Sequence, residues 1–455
     1  MHSDIVCGLD IGSSSIRALA VRCTCLLSKD KKESDLIINE DILGFTQSPT
    51  KGFTKGVVSS LNLLSDVIED TVSRLEAQTG RKIRRVVSNI AGVHIRTFKS
   101  RGSVHISDRP SEITDQDVHR VIESARLIAM SLDRELIHLV PVNFYIDDKI
   151  QISEPRGLFG SKLDVDLNLV TSLVSILQNL TKAINLAGYE LEELIVSGAA
   201  TALGIFEKKE LYEGAIVIDV GKDMTEVTVF NEEKIRECFY FPFGSDDITQ
   251  VLQDRLRIMF KEAEELRIKY GIVTKDNQGL FDNSQILISP LGNKSGPGHE
   301  NAQSDRNRSG GSWVDSDVTS AGAPFINKKR ATVISRREIS NMLFPKVEEI
   351  MQDVYKKIEP FLRQRRKLPH IHVVGGISRM DGFVESVEAV FGVPVSMGRI
   401  RNAKGLSDYN FMTCLGLIRH GAYNRLEKKA GHLSGSNNFI GRFLNRARSV
   451  FSEYF

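Results

Sequence analysis

Two acidic turns carry the residues whose types and spacing could do chemistry. The first lies in DIVCGLDIGSSSIRALAVRC, where Asp10 ends an apolar run, Gly12 follows, and Ser13, Ser14 and Ser15 precede renewed apolar alternation. Gly12 permits tight backbone geometry, and the amides and hydroxyls of the serines are short donors that can surround phosphate oxygens. A carboxylate beside phosphates is repelled unless a cation lies between, so Asp10 is expected to hold Mg²⁺ through water, the usual habit of that ion. The second turn, in GAIVIDVGKDMTEVTVF, repeats Asp-apolar-Gly at Asp219 and Gly221, then continues Lys222, Asp223, Met224 and Thr225. Asp219 takes the same expected role toward Mg²⁺. Either turn alone reads more simply as an ordinary serine-rich or charged hairpin. Two copies about one domain apart point to duplicated halves, each offering a hairpin to one nucleotide in a cleft between them.

A third element is HIHVVGGISRMDGFVESVEAVFG. Val373 and Val374 end a strand, and Gly375 and Gly376 let the backbone pass close to a flat ligand, with Ser378 and Met380 just beyond. Phe383, Val384, Val387, Val390 and Phe391 then fall at helical spacing. The element reads as an adenosine platform beside the two hairpins, and as plain turn chemistry without them.

The elements that must position these residues are strands. Ile5, Val6 and Leu9 form the buried side of the first, and Ile16, Leu19 and Val21 resume the pattern after the turn, which predicts a hairpin. Ile216, Val217 and Ile218 repeat it before EVTVF. A chain of 455 residues, 41% hydrophobic, has room for at least two domains. A net charge of +2 gives no ground for wholesale nucleic-acid binding, and no nucleic-acid partner is expected. Cys7, Cys23, Cys25, Cys238 and Cys414 have neither metal-ligand spacing nor the look of a disulfide framework, which suits a reducing cytosol. The N-terminus runs straight into a strand pattern with no signal-like core. The longest apolar run, LIVSGAATALGIF, falls short of the roughly 20 residues a spanning helix needs.

The chain ends in FIGRFLNRARSVFSEYF, after a polar stretch read as a linker over 424–438. Phe439, Ile440, Phe443, Leu444, Ala447, Val450, Phe451, Tyr454 and Phe455 share one helical face. Arg442, Asn445, Arg446, Ser449 and Glu453 occupy the other, with Arg448 near the boundary. Such a helix over 439–455 suits an anionic membrane surface. One copy should bind weakly and an array of copies strongly. Docking on the protein's own core or on a partner is the competing reading.

These elements in this order resemble the actin, Hsp70 and sugar-kinase superfamily, and the sequence between them resembles the FtsA family of bacterial cell-division proteins. The resemblance covers most of the chain and is most specific over the stretch from NIAGVHIRTF to LDVDLNLVT, which is similar to a small domain peculiar to that family. Read from its residues, this stretch has Thr114 as a helix N-cap with Asp117 three positions on, and Val118, Val121, Ile122, Ala125 and Ile128 on one face, packed on strands such as ELIHLVPVNFYID. The resemblance implies an α/β, actin-like fold of two duplicated α/β domains around a nucleotide cleft. The first domain would take 1–84 and 168–205, the small inserted subdomain 85–167, the second domain 206–240 and 336–423, and a further subdomain 241–335. It also implies ATP and Mg²⁺ as cofactors, with Gly244 in FPFGSDDITQVL near phosphate and Glu264 and Arg267 in EAEELRIKYG flanking ribose and base. As bare sequence, Glu264 and Arg267 are an i,i+3 surface pair.

Two stretches depart from the family pattern. Lys222 and Asp223 stand where the family usually carries glycines. Lys222 can meet phosphate as a point charge, whereas Asp223 opposes it unless it turns outward or meets Mg²⁺. This bears on hydrolysis more than on binding, and the resemblance implies a weak ATPase at most. A Ser-, Gly-, Asn- and Asp-rich insert over 289–325 is expected to be disordered, its Trp313 incidental. The helical pattern that follows puts Ile339, Leu343, Val347 and Ile350 on one face. There the resemblance implies binding of the C-terminal peptide of the tubulin-like protein FtsZ, with Arg336 and Arg337 either pairing with its acidic groups or merely solvated. RQRRK reads as the basic end of a helix.

The function implied is an ATP-binding protein that forms filaments on the cytoplasmic face of the cell membrane at the division septum. It would anchor FtsZ filaments there and recruit later division proteins through the small subdomain. A sugar-kinase-like phosphotransferase and an actin-like scaffold of pilus assembly are the alternatives.

Overall fold

Apolar alternation folds as an antiparallel meander in both halves of the chain. In the computed structural model, Ser3–Ile11 pairs with Ser15–Leu26, which pairs with Ile37–Pro49. Ala215–Val220, Thr225–Asn231 and Lys234–Phe241 repeat the arrangement. The structure describes residues 3–26, 37–129, 131–274, 285–288, 332–363, 367–401, 403, 405–406 and 408–434. The insert over 289–325 and the terminal helix over 439–455 lie outside the described residues, as do Gln364, Arg365 and Arg366 of RQRRK. The chain divides into two compact units: Met1–Pro242 with Arg366–His372 and Gly398–Phe455, and Phe243–Arg365 with Val373–Met397.

The first unit holds both meanders. Its first sheet has the order Glu190–Val196, Arg85–Ile90, Ser3–Ile11, Ser15–Leu26, Ile37–Pro49, with the first three strands parallel. Val6, Leu19, Val21 and Val87 line a core shared with Cys414, Leu415, Leu417 and Ile418 of the helix Met412–Ser434. That helix lies at backbone distance from its neighbours: a Cβ on Gly416 would stand 1.6 Å from the Ala200 carbonyl oxygen, and one on Gly8 2.5 Å from that of Cys414. Arg419 fastens it by donating to Glu40 at 2.7 Å and to the Leu203 carbonyl at 2.8 Å. The helix runs on to Ser434, past residue 424 where the sequence suggests a linker. Leu, Glu, Lys and Ala in RLEKKA are strong helix formers, so the helical backbone continues where apolar periodicity is lost.

The small inserted domain is also in this unit. Its sheet has the order Ile150–Ile152, Arg134–Ile146, Lys162–Leu173, Arg96–His105. Val118, Val121, Ile122 and Ala125 of the helix Asp115–Ala129 pack on Leu163, Val165, Leu167 and Leu169. Its start is the expected capping box: the Thr114 amide donates to Asp117 Oδ2 at 2.9 Å, and the Asp117 amide to Thr114 Oγ1 at 3.3 Å. This domain grips the third strand of the second meander. Asn168 Nδ2 donates to the Ile235 carbonyl at 3.1 Å, and the Cys238 amide to Thr97 Oγ1 at 3.3 Å.

The second unit is built on the helix Arg336–Arg363, whose Ile339, Leu343, Val347 and Ile350 are buried, as their spacing suggests. Helices Ser245–Leu256, Phe260–Tyr270 and Phe383–Phe391 complete it, with a short hairpin of Gln285–Ile288 and Thr332–Ser335. Among the described residues no helix is long and apolar enough to cross a membrane.

Candidate functional site

The two acidic turns have one construction. The Gly12 amide donates to the Ser15 carbonyl at 3.2 Å, and the Gly221 amide to the Met224 carbonyl at 2.9 Å. A Cβ would crowd both, at 3.3 Å from Ser15 O in the first and 2.9 Å from Met224 O in the second. Across each hairpin the aspartate faces a partner in register: Asp10 lies opposite Arg17, and Asp219 opposite Glu226. The two copies therefore share a backbone and differ in charge. Arg17 makes a 3.0 Å ion pair with Asp10, whereas Asp219 faces a second carboxyl.

These cross-strand partners set the electrostatics. Asp10 is buried, and desolvation raises its pKa against the pull of Arg17 and Asn89. Both its oxygens are engaged, Oδ2 by Arg17 and Oδ1 by Asn89 Nδ2 at 2.8 Å. Asp219 is half-buried and is pushed up to about 6, by desolvation first and then by the charge of Asp10. Among the described residues it forms no hydrogen bond through its side chain. Glu226 is buried and rises to about 8, by desolvation first, with Asp219 adding to it and the Gly198 amide and Tyr240 hydroxyl opposing it. Those two groups donate to Glu226 Oε1 at 2.8 and 3.1 Å.

Asn89 and the turn at Ser197 and Gly198 link the copies. Asn89 accepts the Ile11 amide at 2.8 Å, donates to Asp10, and reaches Ser197 Oγ at 3.3 Å. Ser197 opens the helix Ser197–Ile205, and the next amide, from Gly198, binds Glu226. Arg17, Asn89, Ser197 and Glu226 are absent from the sequence-derived site. Arg17 and Glu226 were within reach, since a hairpin closed at glycine puts the seventh residue after each aspartate opposite it. Asn89 and Ser197 had no local signal.

Ser15 is buried with its Oγ unpartnered among the described residues, and Ser13 and Ser14 are progressively more exposed beside Gly12. A donor buried at a glycine turn fits a phosphate oxygen, and the unengaged carboxylate of Asp219 fits a hydrated Mg²⁺. Asp10 fits only an indirect role, because Arg17 already neutralises it. Lys222 is exposed, Met224 half-buried and Thr225 buried. Asp223 turns onto the segment Phe53–Val58, where it accepts from Thr54 Oγ1 at 2.9 Å and from the Lys55 amide at 2.7 Å.

The remaining sequence-derived nucleotide and peptide residues lie in the second unit. Gly244 caps the helix Ser245–Leu256, its amide donating to Asp247 at 2.8 Å. Arg267 turns inward and donates to Thr249 Oγ1 at 2.8 Å, while Glu264 is half-buried on the same helix. Gly375 has φ +92, a conformation that favours glycine, and a Cβ on Gly376 would meet nothing within 4 Å, so the backbone there is open to a flat ligand. Ser378 Oγ closes this turn onto the Gly375 carbonyl at 2.8 Å, and Met380 is half-buried beyond it. Arg336 is committed to Asp381 at 2.6 Å and to the Tyr270 carbonyl at 3.3 Å, while Arg337 is exposed.

Comparison with known proteins adds to this geometry. Residues 92–171 match the family model described as the SHS2 domain inserted in FtsA, and residues 216–416 match that of the cell division protein FtsA. The FtsA of Pseudomonas aeruginosa is 25% identical over 437 residues, covering 95% of this chain and 93% of that protein. The FtsA of Neisseria meningitidis is 26% identical, with 90% and 88% covered, and that of Escherichia coli 22% identical, with 99% and 98% covered. Among solved structures, a type IV pilus biogenesis complex of PilM and PilN superposes with a TM-score of 0.56 at 15% identity, covering 91% of this chain and 98% of that one, a likeness of fold alone.

Proposed function

Since the chain belongs to the FtsA family of cell-division proteins and has the actin-like fold, we propose that it binds ATP with Mg²⁺ at its paired turns and works by nucleotide-controlled assembly. The filaments would form at the division septum, on the cytoplasmic face of the cell membrane, and hold FtsZ filaments there. The small domain would recruit later division proteins.

The observation that carries the nucleotide reading is the duplicated turn, in which the same glycine-to-carbonyl closure follows Asp10 and Asp219. Gly12, the serines and Gly221 would hold phosphates. Asp219 would hold the hydration shell of Mg²⁺, which when bound would offset phosphate charge. Hydrolysis would be slow, because Glu226 keeps its own proton up to about 8 and so cannot take one from water at neutral pH. Arg337, exposed on the second unit, is better placed than Arg336 to meet an acidic peptide such as the tail of FtsZ. The aromatic and arginine pattern over 439–455 supports attachment to an anionic membrane surface.

The test is co-sedimentation with anionic liposomes, with and without ATP and Mg²⁺, of the full chain and of a chain truncated after Asn438, with the pellets imaged for filaments. Tail-dependent pelleting with ATP-dependent filaments is expected. A full chain that stays in the supernatant and forms no filaments would overturn the reading.

A further inference from the structure

Asp223 stands in the phosphate-type turn but spends its charge elsewhere. The segment it holds consists of two short paired strands, Phe53–Thr54 and Val57–Val58, joined through Lys55 at φ 47 and Gly56 at φ 77. Its base is pinned. The Ser59 amide donates to the Gly52 carbonyl at 2.8 Å, a Cβ on Gly52 would lie 2.5 Å from Ser60 O, and one on Gly56 would lie 2.0 Å from Ala91 O. His94 Nε2 lies 3.2 Å from the Gly56 carbonyl, and its Nδ1 lies 2.9 Å from Ser172 Oγ. The tip, Thr54 and Lys55, is exposed, and the bonds that tie it across are those to Asp223, a residue 168 positions away from Lys55.

We infer that Asp223 is a positioning residue that latches this strap to the second turn, making the strap a wall of the nucleotide site that governs how fast a nucleoside polyphosphate enters and leaves. A carboxylate left facing the turn would repel phosphate. Turned onto an amide and a hydroxyl, its charge is met by donors, and the latched segments bring two exposed lysines, Lys55 and Lys222, to the turn's surroundings. The departure from glycine thus exchanges close backbone approach at one turn position for a second wall. The inference rests on the nucleotide reading of the paired turns.

The test is stopped-flow binding of a fluorescent ATP analogue to the full chain, alongside hydrogen exchange of the tip amides. Asp223→Gly should raise the dissociation rate about threefold to tenfold, the span expected for losing a hydrogen-bonded latch, and should speed exchange at Thr54 and Lys55. Asp223→Asn, which keeps an acceptor oxygen, should fall between. Thr54→Val removes one of the two bonds and leaves the fold least disturbed, so it should show a smaller rise. Dissociation rates equal to wild type in Asp223→Gly and Thr54→Val would overturn the latch while leaving nucleotide binding intact, and so would unchanged exchange at the tip. A wild-type chain that binds no ATP analogue would overturn the nucleotide reading and the latch with it.

Discussion

Glu226→Gln changes almost no atomic volume and removes one proton equilibrium. Glu226 is 4% exposed, and burial, assisted by Asp219, holds its pKa at about 8 against an ordinary 4.5. Between those values the folded protein keeps a proton that the unfolded chain has released. Stability is therefore greatest below pH 4.5 and falls as pH rises through the window to 8. At about 1.4 kcal/mol per pH unit within that window, wild type should lose roughly 3 kcal/mol between pH 5.5 and 8.5 through this residue alone. Glutamine matches the protonated carboxyl: its carbonyl can accept from Gly198 and Tyr240, and its amide donates where the acid proton would. The variant should match wild type below pH 4.5, be more stable by roughly 1 kcal/mol at pH 5.5, and by roughly 4 to 5 kcal/mol at pH 8.5. Urea unfolding followed by far-ultraviolet circular dichroism at several pH values measures this. A difference between the two proteins that stays constant across the range would show that Glu226 is ionised in the folded state and would refute the argument.

Four further substitutions probe the same framework. Asn89→Ala leaves the buried Ile11 amide without its 2.8 Å partner and strips Asp10 of another; the expected cost is about 3 to 5 kcal/mol, and an unchanged melting temperature would contradict it. Gly416→Ala would place a Cβ 1.6 Å from Ala200 O and should cost about 3 kcal/mol or more. Gly376→Ala, where nothing stands within 4 Å, should leave stability within about 0.5 kcal/mol, so equal melting curves for these two glycine variants would reject the close-approach argument. Arg267→Lys should destabilise the second unit by about 1 to 3 kcal/mol, because the bond to Thr249 comes from Nε of a rigid fork that lysine lacks; denaturation at the wild-type midpoint would show that this bond carries nothing.

What the sequence determined by itself was whatever depends on near neighbours. Alternation around Asp10 and Asp219 specifies two hairpins, and glycine after each aspartate specifies how they close. Thr114 and Asp117, three residues apart, specify a helix start, and the spacing of Ile339, Leu343, Val347 and Ile350 specifies a buried face. Apolar periodicity is a local property, and it survives folding because burial rewards it one element at a time. The destination of each polar group was decided only by tertiary structure. Asp223 meets Thr54 and Lys55, Arg267 meets Thr249, Arg336 meets Asp381, and Asp10 meets Asn89. Each of these partners comes from another element, and hydrogen bonds depend on distance and angle that no spacing rule contains. The same holds for charge. Glu226 reads on paper as an ionised surface residue of a strand, and it becomes an acid that keeps its proton because folding buries it beside Asp219 and beneath the Gly198 amide.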